Sequence, residues 1–297
     1  MMAKSDVSII FLAPKFPGII QSDVLVSLSS TCNRKNLSPQ RESEVDQIWK
    51  GRIEKNPRLF NASKFRYHSM DVKNGVTELR LGLTSYKDFL GTNWAPDAKQ
   101  LRSEGQDHYG NSQAYMSDAL GVGNFVLTKD NYVIFIRRSQ TVGEAAGLWD
   151  IPGGHPEPGE VPGGSSSPDE VELSSLAPAD VLAEFYESTL REIRDEVNVP
   201  MDSLSQPMLM GVAANHQSSG RPSAEFYVKC SLTKSEVLKL YQEGGAEAEE
   251  SSNITFIPVK DIPTIEENMV WKEMAPSAKG CMKLFNALSA GNHNYGV

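Results

Sequence analysis

The turn Pro152-Gly153-Gly154-His155-Pro156-Glu157-Pro158-Gly159-Glu160 and the acidic stretch Glu187-Ser188-Thr189-Leu190-Arg191-Glu192-Ile193-Arg194-Asp195-Glu196-Val197 decide how this chain is read. A glycine turn followed by carboxylates on one helix is a device for holding a divalent cation against a phosphate. Mg²⁺ takes hard oxygen ligands and shares them between carboxylates and substrate phosphates. Glu192 and Glu196 are four apart, so a helix sets them one turn apart on one face. Asp195 sits on the shoulder of that face. Like charges at this spacing repel, and a cation between them removes the penalty. Leu190, Ile193 and Val197 form the opposite, apolar stripe that anchors the helix to a core. Alone, an E-x-x-D-E run reads as a solvated acidic face; the glycine turn upstream is what favours a metal site.

Taken together, the two halves resemble the Nudix box, Gly-x5-Glu-x7-Arg-Glu-U-x-Glu-Glu-x-Gly-U, where U is aliphatic. Gly154, five residues and Glu160 match the first half, and Arg191 through Val199 match the second. There are three departures. Asp195 stands where the pattern has Glu and shortens one ligand arm. Asn198 stands where it has Gly, which the left-handed region tolerates. Residues 161 through 190, 30 in number, stand where the pattern has seven. The extra stretch, around Val161 to Leu182, is rich in Ser, Pro and Gly and reads as a loop.

The split box, with Gly147-Leu148-Trp149-Asp150 before it, is similar to one atypical branch, the UDP-glucose pyrophosphatase Nudix hydrolases of animals. Leu59-Phe60-Asn61-Ala62, Leu83-Thr84-Ser85-Tyr86 through Gly91-Thr92-Asn93-Trp94, Ala224-Glu225-Phe226-Tyr227-Val228 and Pro276-Ser277-Ala278-Lys279-Gly280 also resemble that branch, so the likeness covers nearly the whole chain. It implies an α/β fold: an α/β/α sandwich around a mixed sheet, with an N-terminal α+β extension. It implies a Mg²⁺- or Mn²⁺-dependent enzyme that cleaves the diphosphate of UDP-glucose or UDP-galactose to UMP and hexose 1-phosphate. By the same carry-over Glu192 and Glu196 are the metal ligands, Asp195 is a weaker candidate, and the Gly153 carbonyl completes the set. Arg191 is expected to orient Glu192 or Glu160 by a salt bridge. The general base, one of these acids or Glu160, stays open.

Substrate contacts rest on the resemblance too. His155 is expected to donate to phosphate, Glu157 to accept from sugar or ribose hydroxyls, and Asp150 to read a hydroxyl or a uracil N–H. Arg138 offers a guanidinium to the diphosphate. Gly143 lets the backbone approach the ligand. Phe60 and Tyr86 match aromatics that contact the nucleotide in this branch; taken alone they read as core residues. Glu225, beside Tyr227, reads first as an ordinary strand carboxylate and second as a further ligand. Glu247, Glu249 and Glu250, in a Gly/Ala/Ser segment, read first as a solvated loop and second as a lid carrying a base. Two other functions stay open: a Nudix hydrolase of ADP-ribose or NADH, and a non-catalytic UDP-sugar-binding protein.

Composition narrows the partners. A net charge of −9 argues against binding nucleic acid through a basic face. Cys32, Cys230 and Cys281 are three, widely spaced and without a C-x-x-C pair, which reads as a reducing compartment with no disulfide framework or zinc site. The apolar run Val7 to Leu12 is too short for a signal or a membrane span. A cytoplasmic protein with a small nucleoside diphosphate sugar as its partner is expected, with no membrane and no obligate protein partner.

Along the chain, Val7 to Leu12, Val24 to Leu28, Arg66 to Met70 and Val76 to Leu83 read as strands. A helix begins at Ser38-Pro39 and closes before Pro57. A helix at Ala98 to Ser103 precedes a hairpin, Gly121 to Leu127 with Tyr132 to Arg137, whose continuously apolar second strand reads as central. Later strands fall at Met208 to Ala214, Glu225 to Cys230 and Ile254 to Val259, and helices at Ser235 to Gln242 and Ala278 to Leu288. The division expected is an N-terminal α+β region, 1–115, that contributes to the substrate pocket, and a hydrolase region, 116–297.

Overall fold

The computed structural model describes residues 6–140, 143–247 and 249–290. In chain order the elements are β1 (Val7–Leu12), β2 (Val24–Leu28), α1 (Pro39–Lys55), β3 (Ser63–Lys73), β4 (Val76–Ser85), α2 (Tyr86–Gly91) and α3 (Ala98–Tyr109). Then come β5 (Gly121–Leu127), β6 (Tyr132–Arg138), β7 (Trp149–Asp150), β8 (Gly153–Gly154), α4 (Pro178–Val197), β9 (Met208–Asn215) and β10 (Arg221–Lys229). The chain closes with α5 (Lys234–Glu243), β11 (Ser251–Pro258), α6 (Met269–Lys272) and α7 (Pro276–Ser289).

The large sheet runs β1-β9-β10-β5-β6-β11, and a smaller one runs β2-β4-β3. β10 and β5 are parallel while β9–β10 and β6–β11 are antiparallel, so the large sheet is mixed. Successive strand residues point to opposite faces, and β10 shows what covers each. Phe226 packs edge-on against Phe185 and Tyr186 of α4. Tyr227 stacks with Phe125, which itself lies 4.1 Å from Phe285 of α7. The helices α4 and α7 therefore sandwich the sheet, as the expected α/β/α architecture requires.

The helix ends follow their sequences. Ser38 caps α1 by accepting from Arg41 N, with Pro39 in the first turn. Asn198 ends α4 in the left-handed region at φ 62°, so asparagine does what glycine does in the pattern. Ile193 and Val197 are fully buried against Val126, Ile136 and Val228, as the apolar stripe predicted.

Four readings need correction. The stretch taken as loop up to Leu182 ends earlier, because α4 starts at Pro178; proline suits the first turn, and Val181 is already fully buried. The hairpin of β5 and β6 is closed only at its tip, with Leu127 opposite Val133. Beyond that the arms part, and β8 pairs with β5 while β7 pairs with β6. Gly153 permits this approach, since a Cβ there would lie 2.4 Å from the Val122 carbonyl oxygen. Strand β6 is not central but next to the edge strand β11; its apolar run reflects coverage of both faces. Finally, β1 belongs to the large sheet, paired with β9, and one core cluster includes Val24, Phe65 and Leu79 together with Phe125, Phe185 and Phe226. The first 115 residues are thus interleaved with the rest.

No helix among the described residues is long and apolar enough to cross a membrane. The three cysteines are free and buried.

Candidate active site

The second half of α4 lies against the glycine turn. Gly153 N donates to Glu196 Oε2 at 2.8 Å. A Cβ on Gly154 would fall 1.9 Å from Glu192 Oε1, so glycine lets the turn close over that carboxylate without displacing it. Glu196 is 2% exposed. Burial first, and then the neighbouring Glu192, push its carboxyl well above the usual range. Glu192 is pushed up to about 7 by burial, with the charges of Glu247 and Glu250 adding.

Two desolvated carboxylates on one helix, one raised by the charge of the other, are arranged as a cation site is. Among the described residues, no three His, Cys, Asp or Glu side chains converge into a complete metal cage. Mg²⁺ is commonly held by one or two carboxylates, with water and substrate phosphates supplying the remaining ligands. Glu192, Glu196 and the main chain at Gly153 fit such an ion.

A cleft of about 490 Å³ opens beside the pair, lined by Arg138, Asp150, Gly153, Gly154, His155, Glu157, Glu192 and Arg221 among others. The volume lies in the roughly 300–1,000 Å³ range of small-molecule sites. A smaller compartment adjoins it, lined by Lys64, Tyr86, Phe89, Ala119 and Gly143. Trp94, Glu144, His155 and Arg221 line both.

Each predicted side chain has a definite place. Arg138 sits at the cleft wall, where its Nε donates to the Glu144 carbonyl at 3.0 Å. Asp150 is buried and accepts from Ser277 Oγ at 2.7 Å and Ile151 N at 2.9 Å; burial raises its pKa while Arg138 opposes the rise. Glu157 pairs with Lys64 of β3, tying the glycine turn to the smaller sheet. His155 Nε2 lies 3.0 Å from Arg221 Nη2. Burial and the charges of Lys64, Arg221 and Arg138 hold its imidazole well below the usual range, so it is neutral. Tyr86 and Gly143 line the smaller compartment.

Other expectations fail. Phe60 is 59% exposed and lines neither compartment; it lies in the coil between α1 and β3, where nothing turns it inward. Arg191 reaches neither Glu192 nor Glu160. Its Nη2 donates to Glu184 Oε2 at 2.6 Å and Oε1 at 2.7 Å, because residues seven apart share a helix face two turns on. Glu184 Oε1 in turn accepts from Glu157 N at 2.9 Å, so Arg191 braces the glycine turn through a carboxylate that the sequence reading did not single out. Asp195 is held by both carboxylate oxygens on Arg194, away from the cleft. Glu160 is exposed and outside the lining.

Glu247 and Glu250, taken first as a solvated loop, line the cleft facing Glu192. Glu225 is fully buried on β10 beside Ser223 and Cys281, neither of which makes a well-formed hydrogen bond to its oxygens. It lies under Gly123, outside the lining, and burial pushes it up to about 8. Lys64, Glu144 and Arg221 carry no signal in the sequence, being single residues in three distant segments, and Trp94 stands there only as the end of a matched segment with no role attached.

A fold of this class, with a split glycine-turn and acidic-helix motif at the mouth of a cleft, has relatives. The chain is 45% identical over 285 residues to uridine diphosphate glucose pyrophosphatase NUDT22 of Mus musculus, covering 95% of this chain and 91% of that protein. It is 46% identical to the Homo sapiens protein of the same name, covering 91% and 89%. With Nudix hydrolase 9 of Arabidopsis thaliana it shares 32% identity, over 82% of this chain and 81% of that one. Among solved structures, the MutT protein from Methanosarcina mazei Go1 overlaps 59% of this chain and 95% of its own at 15% identity, with a TM-score of 0.36. No family model matches the chain. The identities with whole-length relatives place it: the chain belongs to the Nudix hydrolase family of enzymes.

Proposed function

We propose that this protein hydrolyses UDP-sugars, UDP-glucose or UDP-galactose, to UMP and hexose 1-phosphate with Mg²⁺ as cofactor, and that it works in the cytoplasm. The observation that carries the reading is the placing of Glu192 and Glu196 against the Gly153–Gly154 turn, at the mouth of a cleft whose other wall bears Arg138 and Arg221. The names of the whole-length relatives support the substrate class, and three free, buried cysteines support a reducing compartment.

A diphosphate repels the water that must attack it. When bound, a divalent cation neutralises that charge and orients or acidifies the water. Glu192 and Glu196, with the main chain at Gly153, would hold the cation. The Arg138 guanidinium draws the diphosphate in and spreads its charge. Glu247 and Glu250 face the cleft from the opposite loop and accept the proton released as water adds to phosphorus and the bridging P–O bond breaks. Tyr86 and Trp94 in the smaller compartment give a base a flat surface, and the asymmetry of the two compartments separates nucleoside from sugar. Asp150, fixed by Ser277, and Glu157 accept from ligand hydroxyls.

Chromatographic product analysis with Mg²⁺ across UDP-glucose, UDP-galactose, ADP-glucose, ADP-ribose and NADH tests this. Release of UMP and hexose phosphate from the uridine sugars alone, absent in Glu192→Gln, is the expected result. Turnover of the adenine substrates alone would discard the uridine reading.

A further inference from the structure

We infer that Arg221 is a positioning residue that locks His155 in the tautomer carrying its proton on Nδ1, so that a neutral N–H donor stands ready for a phosphate oxygen of the ligand. The inference rests on the substrate reading above only for the identity of that oxygen. Arg221 Nη2 lies 3.0 Å from His155 Nε2. A guanidinium has donors and no acceptor, so Nε2 can only accept. An imidazole whose Nε2 accepts is neutral and bears its one proton on Nδ1. No other side-chain hydrogen bond engages His155 among the described residues, and the ring lines both compartments. Its N–H is therefore left for a ligand.

The guanidinium is itself immobilised. Its Nε donates to the Ala119 carbonyl at 3.2 Å, its Nη1 pairs with Glu144, and its carbon stands 5.5 Å over the Phe89 ring. With its nitrogens engaged by Ala119, Glu144 and His155, Arg221 acts through His155. The lock needs a donor facing Nε2. Ser218 Oγ donates to Glu144 Oε1 at 3.3 Å, which holds that carboxylate in the compartments that the imidazole also lines. Without a donor at position 221, Nε2 is no longer held as an acceptor; a proton on Nε2 leaves Nδ1 a bare acceptor, which a phosphate oxygen repels.

The test reads tautomer and kinetics separately. Protein labelled with ¹⁵N-histidine is examined by long-range proton–nitrogen spectra, with the His155 signals assigned from His155→Gln. Wild type shows Nδ1 protonated and Nε2 bare. Arg221→Met, which keeps bulk but has no donor, shifts the proton to Nε2. It raises the KM for UDP-glucose about tenfold with kcat within about twofold, the pattern of a lost binding contact. Arg221→Gln, which restores an N–H donor, recovers both. A wild-type His155 protonated on Nε2 overturns the proposal, as does an Arg221→Met protein that keeps the Nδ1 proton or an unchanged KM. If Arg221→Met does not fold, the wild-type spectrum and Arg221→Gln decide. Failure of the wild type to cleave UDP-glucose sinks the substrate reading alone, because the tautomer still reports the positioning role.

Discussion

The two walls of the cleft are built in opposite ways. The acidic wall comes from two short segments, the Gly153–Gly154 turn and one helix, and its key side chains, Glu192 and Glu196, are four residues apart. The cationic wall gathers Lys64 from β3, Trp94 from the α2–α3 connection, Glu144 from the loop before β7 and Arg221 from β10. Helix periodicity fixes the first wall locally. The second exists only where separate elements meet. A wall made locally carries a motif; a wall made by packing carries none.

The largest effect that would sharpen this contrast is chemical. Glu192→Gln should lower kcat by roughly 10²- to 10⁴-fold while the protein stays folded, since the amide is isosteric. A loss below about fivefold would mean that the acidic wall does not carry the reaction.

The next effect is on the support of the cationic wall. Asp118 adjoins Ala119, whose carbonyl holds Arg221, and it accepts from Gln113 and Asn93. Burial pushes its carboxyl up to about 6, with Arg66 opposing. A carboxyl whose folded pKa exceeds its unfolded one stabilises most below about pH 4 and loses that contribution as pH rises through about 6. The loss is up to about 3 kcal/mol. Urea unfolding between pH 4 and 7 should therefore show a fall in stability that Asp118→Asn flattens. Equal slopes for the two proteins would remove Asp118 from this role.

Arg191→Met leaves Glu184 buried without its cation and should cost about 2 kcal/mol, less than the roughly 3–5 kcal/mol of a fully buried pair because the arginine is partly exposed. The denaturation midpoint reports it. A stable variant with lost activity would instead place Arg191 at the chemistry.

Smallest is Gly154→Ala. The added methyl meets the far end of a flexible side chain, Glu192, so stability should move by less than about 1 kcal/mol. The displaced carboxylate should still lower kcat about tenfold. Unchanged kcat would show that the carboxylate's position is not critical.

The elements that carry a pattern were legible: α4 from its apolar stripe, α1 from Ser38-Pro39, and the β strands from their apolar runs. Glu192 and Glu196 were legible for the same reason, as a spacing within one helix. The partner of Arg191 was not, since Glu184 lies beside a long insertion and only the actual start of α4 at Pro178 puts it on the same face. The place of Glu247 and Glu250 in the cleft lining was hidden because a Gly- and Ala-rich loop has no period to say which way it faces. The exposed Phe60 shows the reverse, a matched residue that the fold leaves outside the cleft.

By itself the sequence determined the mixed α/β class, the acidic helix and the glycine turn, because these rest on contacts within a few residues. Tertiary structure alone decided the parted hairpin, the place of β1 in the large sheet, and the set of Lys64, Glu144, His155 and Arg221 around one cleft. Those depend on strand order and on which loops converge at one end of a sheet, and no local spacing encodes either.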